Sequence, residues 1–169
     1  MSTASVAILM GSKSDMATIK GAFETLKSFN IGFEARVLSA HRTPDAAAEY
    51  AKNAEARGIK VFICAAGMAA HLAGVVAAHT TLPVIGIPIA CEPFNGLDAL
   101  LAMVQMPPGI PVATVTAGSA GGKNAALLAV SIMALSDKSL STKLKAFRAE
   151  QTQKVEEADK ALQTELAKL

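Results

Sequence analysis

Short apolar runs alternate with longer segments of mixed pattern along this chain. The runs at 6–10, 61–65 and 83–87 are continuously hydrophobic, as in strands covered on both faces. Those at 32–38 and 112–116 are less apolar but also of strand length. Between and after them lie helix-like segments at about 15–29, 43–57, 69–79, 96–105 and 122–136. The second of these is the best marked. Thr43 stands at its N-cap, Pro44 at its first helical position and Gly58 just past its end.

Strict alternation of strand and helix with short loops predicts an α/β fold in three layers, αβα, with helices on both faces of a parallel sheet. Five such units fit a flavodoxin-like, doubly wound, five-stranded sheet of order 2-1-3-4-5. A final segment carries Leu140, Leu144, Phe147, Val155, Leu162 and Leu166 on one side of a helical wheel, with Glu150 and Lys154 spaced to pair on another. The expected organisation is an α/β body over 1–136 that carries the chemistry, followed by an extra C-terminal amphipathic helix over 137–169. That helix is expected to pack on the same or a neighbouring subunit.

Composition narrows the function classes. Of the 169 residues, 51% are hydrophobic and 18% charged, which excludes an intrinsically disordered chain. A net charge of +2 is too small for an electrostatic footprint, so neither nucleic acid nor membrane is an expected partner. The longest uncharged stretch, 61–91, is interrupted by His71, His79, Pro83 and Pro88, and does not read as a membrane span. Cys64 and Cys91 cannot build a disulfide framework, and no targeting signal is recognisable, so the expected location is cytoplasmic.

Charge is also unevenly placed. Between 61 and 136 the only charged residues are Glu92, Asp98 and Lys123. Helices of a doubly wound monomer present a polar stripe to water, and the helices in this region lack one. Their outer faces are therefore expected to be covered by other subunits of a homo-oligomer.

In doubly wound folds, ligands bind outside the carboxyl ends of the strands near the point where strand order reverses. The loop after the first strand reads Gly11-Ser-Lys-Ser-Asp15. It offers a tight turn, two hydroxyls and the amides of a helix start, which suits a phosphate, although from local pattern alone plain helix capping is the commoner explanation. Asp15 is either a ribose-hydroxyl acceptor or a carboxylate beside the helix dipole. The loop after the second strand reads Ser39-Ala-His-Arg-Thr-Pro44. Histidine titrates near neutrality and can give and take a proton in one cycle, so His41 is the candidate acid/base. Arg42 can fork onto a phosphate. The loop after the third strand, Ala65-Ala-Gly-Met-Ala-Ala-His71, has small side chains that permit close approach of backbone to ligand. His71 there is a candidate ligand contact or a packed histidine, and His79 reads as structural. The three histidines are too dispersed for a metal site by spacing, and no metal or cofactor is expected.

Taken in order, Gly11-Ser-Lys-Ser-Asp15, Ser39-Ala-His-Arg-Thr-Pro-Asp45, Ala69-Ala-His-Leu72, Leu82-Pro-Val-Ile-Gly86 and Gln105-Met-Pro-Pro-Gly-Ile-Pro-Val112 resemble class I N5-carboxyaminoimidazole ribonucleotide mutase. The resemblance covers about residues 6 to 136 and rests on the ordered set rather than on any one motif. It implies a small α/β subunit assembled as an octamer, acting on a ribonucleotide in de novo purine biosynthesis. The implied reaction moves a carboxylate from the exocyclic nitrogen of an aminoimidazole to ring carbon C4. By motif position, His41 is the implied acid/base. Ser12, Asp15 and Arg42 are implied to bind the ribonucleotide, Ser14 and Ser39 to lie beside its phosphate, and His71 to lie near the carboxylate pocket.

The chain departs from the family pattern at Met68, where a glycine is usual, and at Ala73, where a proline is usual. The related animal carboxylase class carries a lysine at the position of Arg42, which places this chain on the mutase side. The runner-up activity is direct carboxylation of aminoimidazole ribonucleotide by carbon dioxide. A flavin carrier or a receiver module would share the fold. The first lacks aromatic flanks here, with Tyr50 the one tyrosine and no tryptophan, and the second lacks acidic residues at the ends of the first and third strands.

Overall fold

The computed structural model describes residues 4–169. By its contacts the chain divides into two units, one ending at Ala129 and one running Val130–Leu169.

The first unit holds a five-stranded sheet ordered β2-β1-β3-β4-β5, formed by Val6–Met10 (β1), Phe33–Val37 (β2), Val61–Gly67 (β3), Val84–Ile89 (β4) and Ala113–Thr114 (β5). Every pairing is parallel. The order and the parallel pairing are those the β-α alternation predicts. β1 and β4 are buried throughout, as their unbroken apolar runs require. Full burial of side chains the size of Ile8, Phe62 and Ile63 contributes about 1.5–3 kcal/mol each.

Alternate residues of each strand serve different helices. Ala7, Leu9, Phe62, Cys64 and Ala66 form one core with Ala47 and Ala51 of α2 (Pro44–Lys52), Leu72 and Val76 of α3 (Leu72–Ala78), and Ala99 and Met103 of α4 (Leu97–Val104). On the other side run α1 (Met16–Ser28) and α5 (Ser119–Met133). These two cross so closely that a Cβ at Gly122 would lie 3.1 Å from the Ile19 Cα. The second unit contains the end of α5 and α6 (Lys138–Leu166), which Asp137 caps by accepting from the N–H groups of Ser139 and Leu140. Glu150 and Lys154 pair on α6 at 2.6 Å.

Several boundaries shift from the sequence expectation for local reasons. α2 ends at Lys52, because Asn53 closes it at φ −92°, ψ 3°, and a separate 3-10 turn, Glu55–Arg57, carries the chain to left-handed Gly58. β3 runs two residues further than its apolar core, to Gly67, and α3 begins only at Leu72. β5 is reduced to Ala113–Thr114 at the sheet edge, just after Pro111, which has no N–H to pair.

Candidate active site

Sheet hydrogen bonding continues past the strand ends and draws three loops together. Gly11 donates its N–H to the Ala65 carbonyl at 3.1 Å, and Leu38 donates to the Met10 carbonyl at 3.0 Å. A cleft of about 600 Å³ opens at this carboxyl edge. All seven residues singled out from the sequence line it: Ser12, Ser14 and Asp15 after β1, Ser39, His41 and Arg42 after β2, and His71 after β3.

The first loop is held by a reciprocal cap. Ser12 Oγ accepts from the Ser14 N–H at 3.3 Å, while Asp15 Oδ2 accepts from the Ser12 N–H at 3.0 Å. The Ser14 hydroxyl donates to Ser12 Oγ at 2.8 Å, so the two hydroxyls form one polar spot. Partial burial raises the Asp15 carboxyl above its ordinary value, and the hydrogen bond from the Ser12 N–H opposes that shift.

The second loop is tied to itself. Ser39 Oγ accepts from the N–H groups of His41 and Arg42 at 3.4 and 3.1 Å. Thr43 occupies the N-cap position of α2, but its side chain does not cap the helix. Its hydroxyl turns back instead, accepting from the Ser39 N–H at 2.9 Å and donating to the Ser39 carbonyl at 3.1 Å. The reason is that a loop presenting two exposed functional side chains needs its own anchor, and Thr43 supplies it. Arg42 reaches across to the first loop, donating from Nη2 to the Gly11 carbonyl at 3.1 Å. Its remaining N–H groups are available to an anion.

The third loop sets His71 against His41. Their rings meet edge to face, with His41 Nε2 and His71 Nδ1 2.8 Å apart. The path that achieves this is tight. A Cβ at Gly67 would lie 2.8 Å from Cys91 Sγ and 3.1 Å from the Ile89 carbonyl, so a side chain there would displace Cys91 and crowd the backbone of β4. The chain then turns at Met68, which holds a left-handed φ of 56°. Met68 of the third loop lines the cleft as well, and sequence reasoning missed Cys91, just beyond β4. Topology offered the signal for Cys91, since β4 neighbours β3 and ends at the same edge of the sheet.

The arrangement combines a hydrogen-bonded pair of imidazoles, a guanidinium and a hydroxyl-rich turn around a small-residue wall. It suits proton transfer on a small anionic substrate. A larger hollow of about 880 Å³ lies at the opposite, amino edge of the sheet beside His79 and Thr80. It gathers none of the seven residues, and the switch-point rule favours the carboxyl edge. Among the described residues no group of three or more His, Cys, Asp or Glu side chains could hold a metal ion, and no helix is long and apolar enough to cross a membrane.

Comparison with known proteins places relatives around this geometry. The sequence profile of the AIR carboxylase family matches residues 5–154. The N5-carboxyaminoimidazole ribonucleotide mutase of Saccharolobus solfataricus is 57% identical over 142 residues, spanning 84% of this chain and 89% of that protein. The protein of the same name from Brucella melitensis is 51% identical over 152 residues, 90% and 94% of the two chains. The one from Bacillus subtilis is 54% identical over 139 residues, 82% and 86%. Among solved structures, Treponema denticola PurE matches with a TM-score of 0.84 at 35% identity, over 93% of this chain and 97% of that one.

Proposed function

The chain belongs to the AIR carboxylase family, and we propose that it acts there as an N5-carboxyaminoimidazole ribonucleotide mutase, an isomerase of de novo purine biosynthesis. The observation that carries this reading at the level of chemistry is the convergence of His41, His71, Arg42 and the Gly11–Asp15 turn on one cleft. The names of relatives at 50–57% identity favour the mutase over direct carboxylation.

The roles are those the family resemblance implies, and the shared cleft supports them. The phosphate sits against Arg42 and the hydroxyls of Ser12, Ser14 and Ser39, and Asp15 accepts from the ribose. Binding energy from these remote groups serves to orient the ring. The carbamate nitrogen–carbon bond breaks to free carbon dioxide, and His41 donates a proton to the departing nitrogen. C4 is the nucleophilic carbon of an enamine and attacks the carbon dioxide directly. His41, now neutral, removes the proton from C4. One proton enters at nitrogen and one leaves from carbon, so the cycle is neutral overall and needs no ATP. His71 lies beside the carboxylate, and before substrate enters it positions the His41 ring through their hydrogen bond. Ala66, Ala69 and the Gly67 backbone wall the pocket and keep carbon dioxide beside C4, which makes recapture effectively intramolecular.

The working form is a homo-oligomer, an octamer by family analogy, in the cytoplasm. Phe94 and Val104, which are 63% and 54% exposed, and Leu97 and Leu101 between them, form an apolar face suited to burial between subunits. The body over 1–136 carries the site, and the amphipathic helix over 137–169 packs on the same or a neighbouring subunit. The test is an assay with the carbamate ribonucleotide and no ATP. Conversion to the C4-carboxylated product supports the reading. Turnover only of aminoimidazole ribonucleotide with bicarbonate would replace it with the carboxylase.

A further inference from the structure

Met68 is the one long, apolar side chain in the loop between Gly67 and His71, and it lines the cleft while 58% exposed. Its backbone conformation is costly. A left-handed φ of 56° disfavours any residue with a Cβ relative to the ordinary helical region. Gly67 is still paired with Ile89 in the β3–β4 ladder, so the turn falls at position 68. Glycine at 68 would make the same turn without that cost. A strained non-glycine residue at a functional cleft therefore points to a use for its side chain.

The chemistry of the cleft suggests what that use is. The rest of the loop, Ala66, Gly67, Ala69 and Ala70, provides only methyl groups and backbone. Such a wall leaves room for a neutral, linear molecule, and Met68 is the one side chain of the loop long enough to reach across it. A thioether on three rotatable bonds can lie over the opening and adapt to it, and an apolar flap excludes water from a reaction it would disturb. We propose that Met68 closes the third-strand wall of the cleft over the carbon dioxide freed from the carbamate, and so sets the fraction recaptured at C4. This rests on the mutase reading above. In the step concerned, the nitrogen–carbon bond breaks with its electron pair remaining on nitrogen, which takes a proton. The C4–carbon bond then forms and C4 gives up its proton. Escape of carbon dioxide between these events leaves free aminoimidazole ribonucleotide.

The experiment turns over unlabelled carbamate substrate in isotopically labelled bicarbonate and reads two quantities: label in the product, and aminoimidazole ribonucleotide released per product formed. Met68→Gly relaxes the backbone and is expected to fold at least as stably as the parent, which a thermal melt checks. Met68→Ala keeps the left-handed strain and removes the side chain. Both are expected to raise both readouts severalfold, and Met68→Leu to stay close to the parent. Partitioning equal to the parent in the glycine and alanine variants overturns the proposal and leaves the mutase reading standing. A leak in the glycine variant alone assigns the effect to backbone freedom and also overturns it. Parent protein that labels its product to the level of the pool overturns the underlying reading instead.

Discussion

His41 Nε2 and His71 Nδ1 lie 2.8 Å apart, with ring planes at 82° and centroids separated by 4.9 Å. One nitrogen donates and the other accepts, so the contact holds a single proton between the loop after β2 and the start of α3. Two imidazolium rings cannot make this bond, because both nitrogens would carry hydrogen. His41 exchanges this partner for the reacting atoms when substrate enters.

His41→Asn is expected to fold normally, since His41 is exposed and its backbone N–H bond to Ser39 survives. Its kcat should fall by about 10²–10⁴-fold, the usual worth of a general acid–base. Circular dichroism and steady-state kinetics check both parts. Activity within a few fold of the parent would remove His41 from the mechanism.

Arg42→Ala is expected to weaken binding of a ribonucleotide analogue by about 1.5–3 kcal/mol, as loss of a charge-assisted hydrogen bond does. Calorimetry measures this. Loss of the bond to the Gly11 carbonyl should loosen the first loop without changing the oligomeric state. Unchanged affinity would reduce Arg42 to a tether between loops.

Asp15→Asn separates stability from binding. The folded pKa of Asp15 is raised, so the folded state holds the proton more tightly than the unfolded chain does. The charge thus lowers stability above the folded pKa, and this effect disappears as pH falls through it. The asparagine variant can still accept the Ser12 N–H. It should match or exceed the parent in thermal stability at neutral pH, with the difference shrinking toward acid. Ribonucleotide affinity should fall. A variant less stable than the parent at neutral pH, with the gap closing in acid, would contradict the sign.

Light scattering should report a homo-oligomer, an octamer, for the parent protein. Leu101→Glu places a charge on the exposed apolar face of α4 and should shift the mass toward smaller species. A parent that runs as a single 169-residue subunit would contradict the proposed assembly.

How much of this was legible in the sequence depends on how local the cause is. β1, β3 and β4 read plainly because their apolar runs answer to burial on both faces. His41 and Arg42 could be placed at the sheet edge because Thr43 and Pro44 mark the helix that follows. The His41–His71 contact was not legible. It joins positions thirty residues apart, and it depends on the left-handed turn at Met68. A methionine gives no sequence sign of positive φ. The Thr43 hydroxyl misled in the same way. Its residue type predicts a helix cap, but the neighbouring loop competes for it through Ser39. Cys91 was missed because its proximity to the loop after β3 is set by pairing of β3 with β4, which no short motif encodes.

Transfer of the carboxyl carbon tests the central claim most directly. Substrate labelled at the carbamate carbon is turned over by the parent protein in unlabelled bicarbonate without ATP, and the reaction is stopped at low conversion. A closed, small-walled site lets capture by the adjacent C4 outrun escape, so the product should keep nearly all of the label. Product diluted to the isotopic composition of the dissolved pool would contradict the account, and would make free carbon dioxide the substrate.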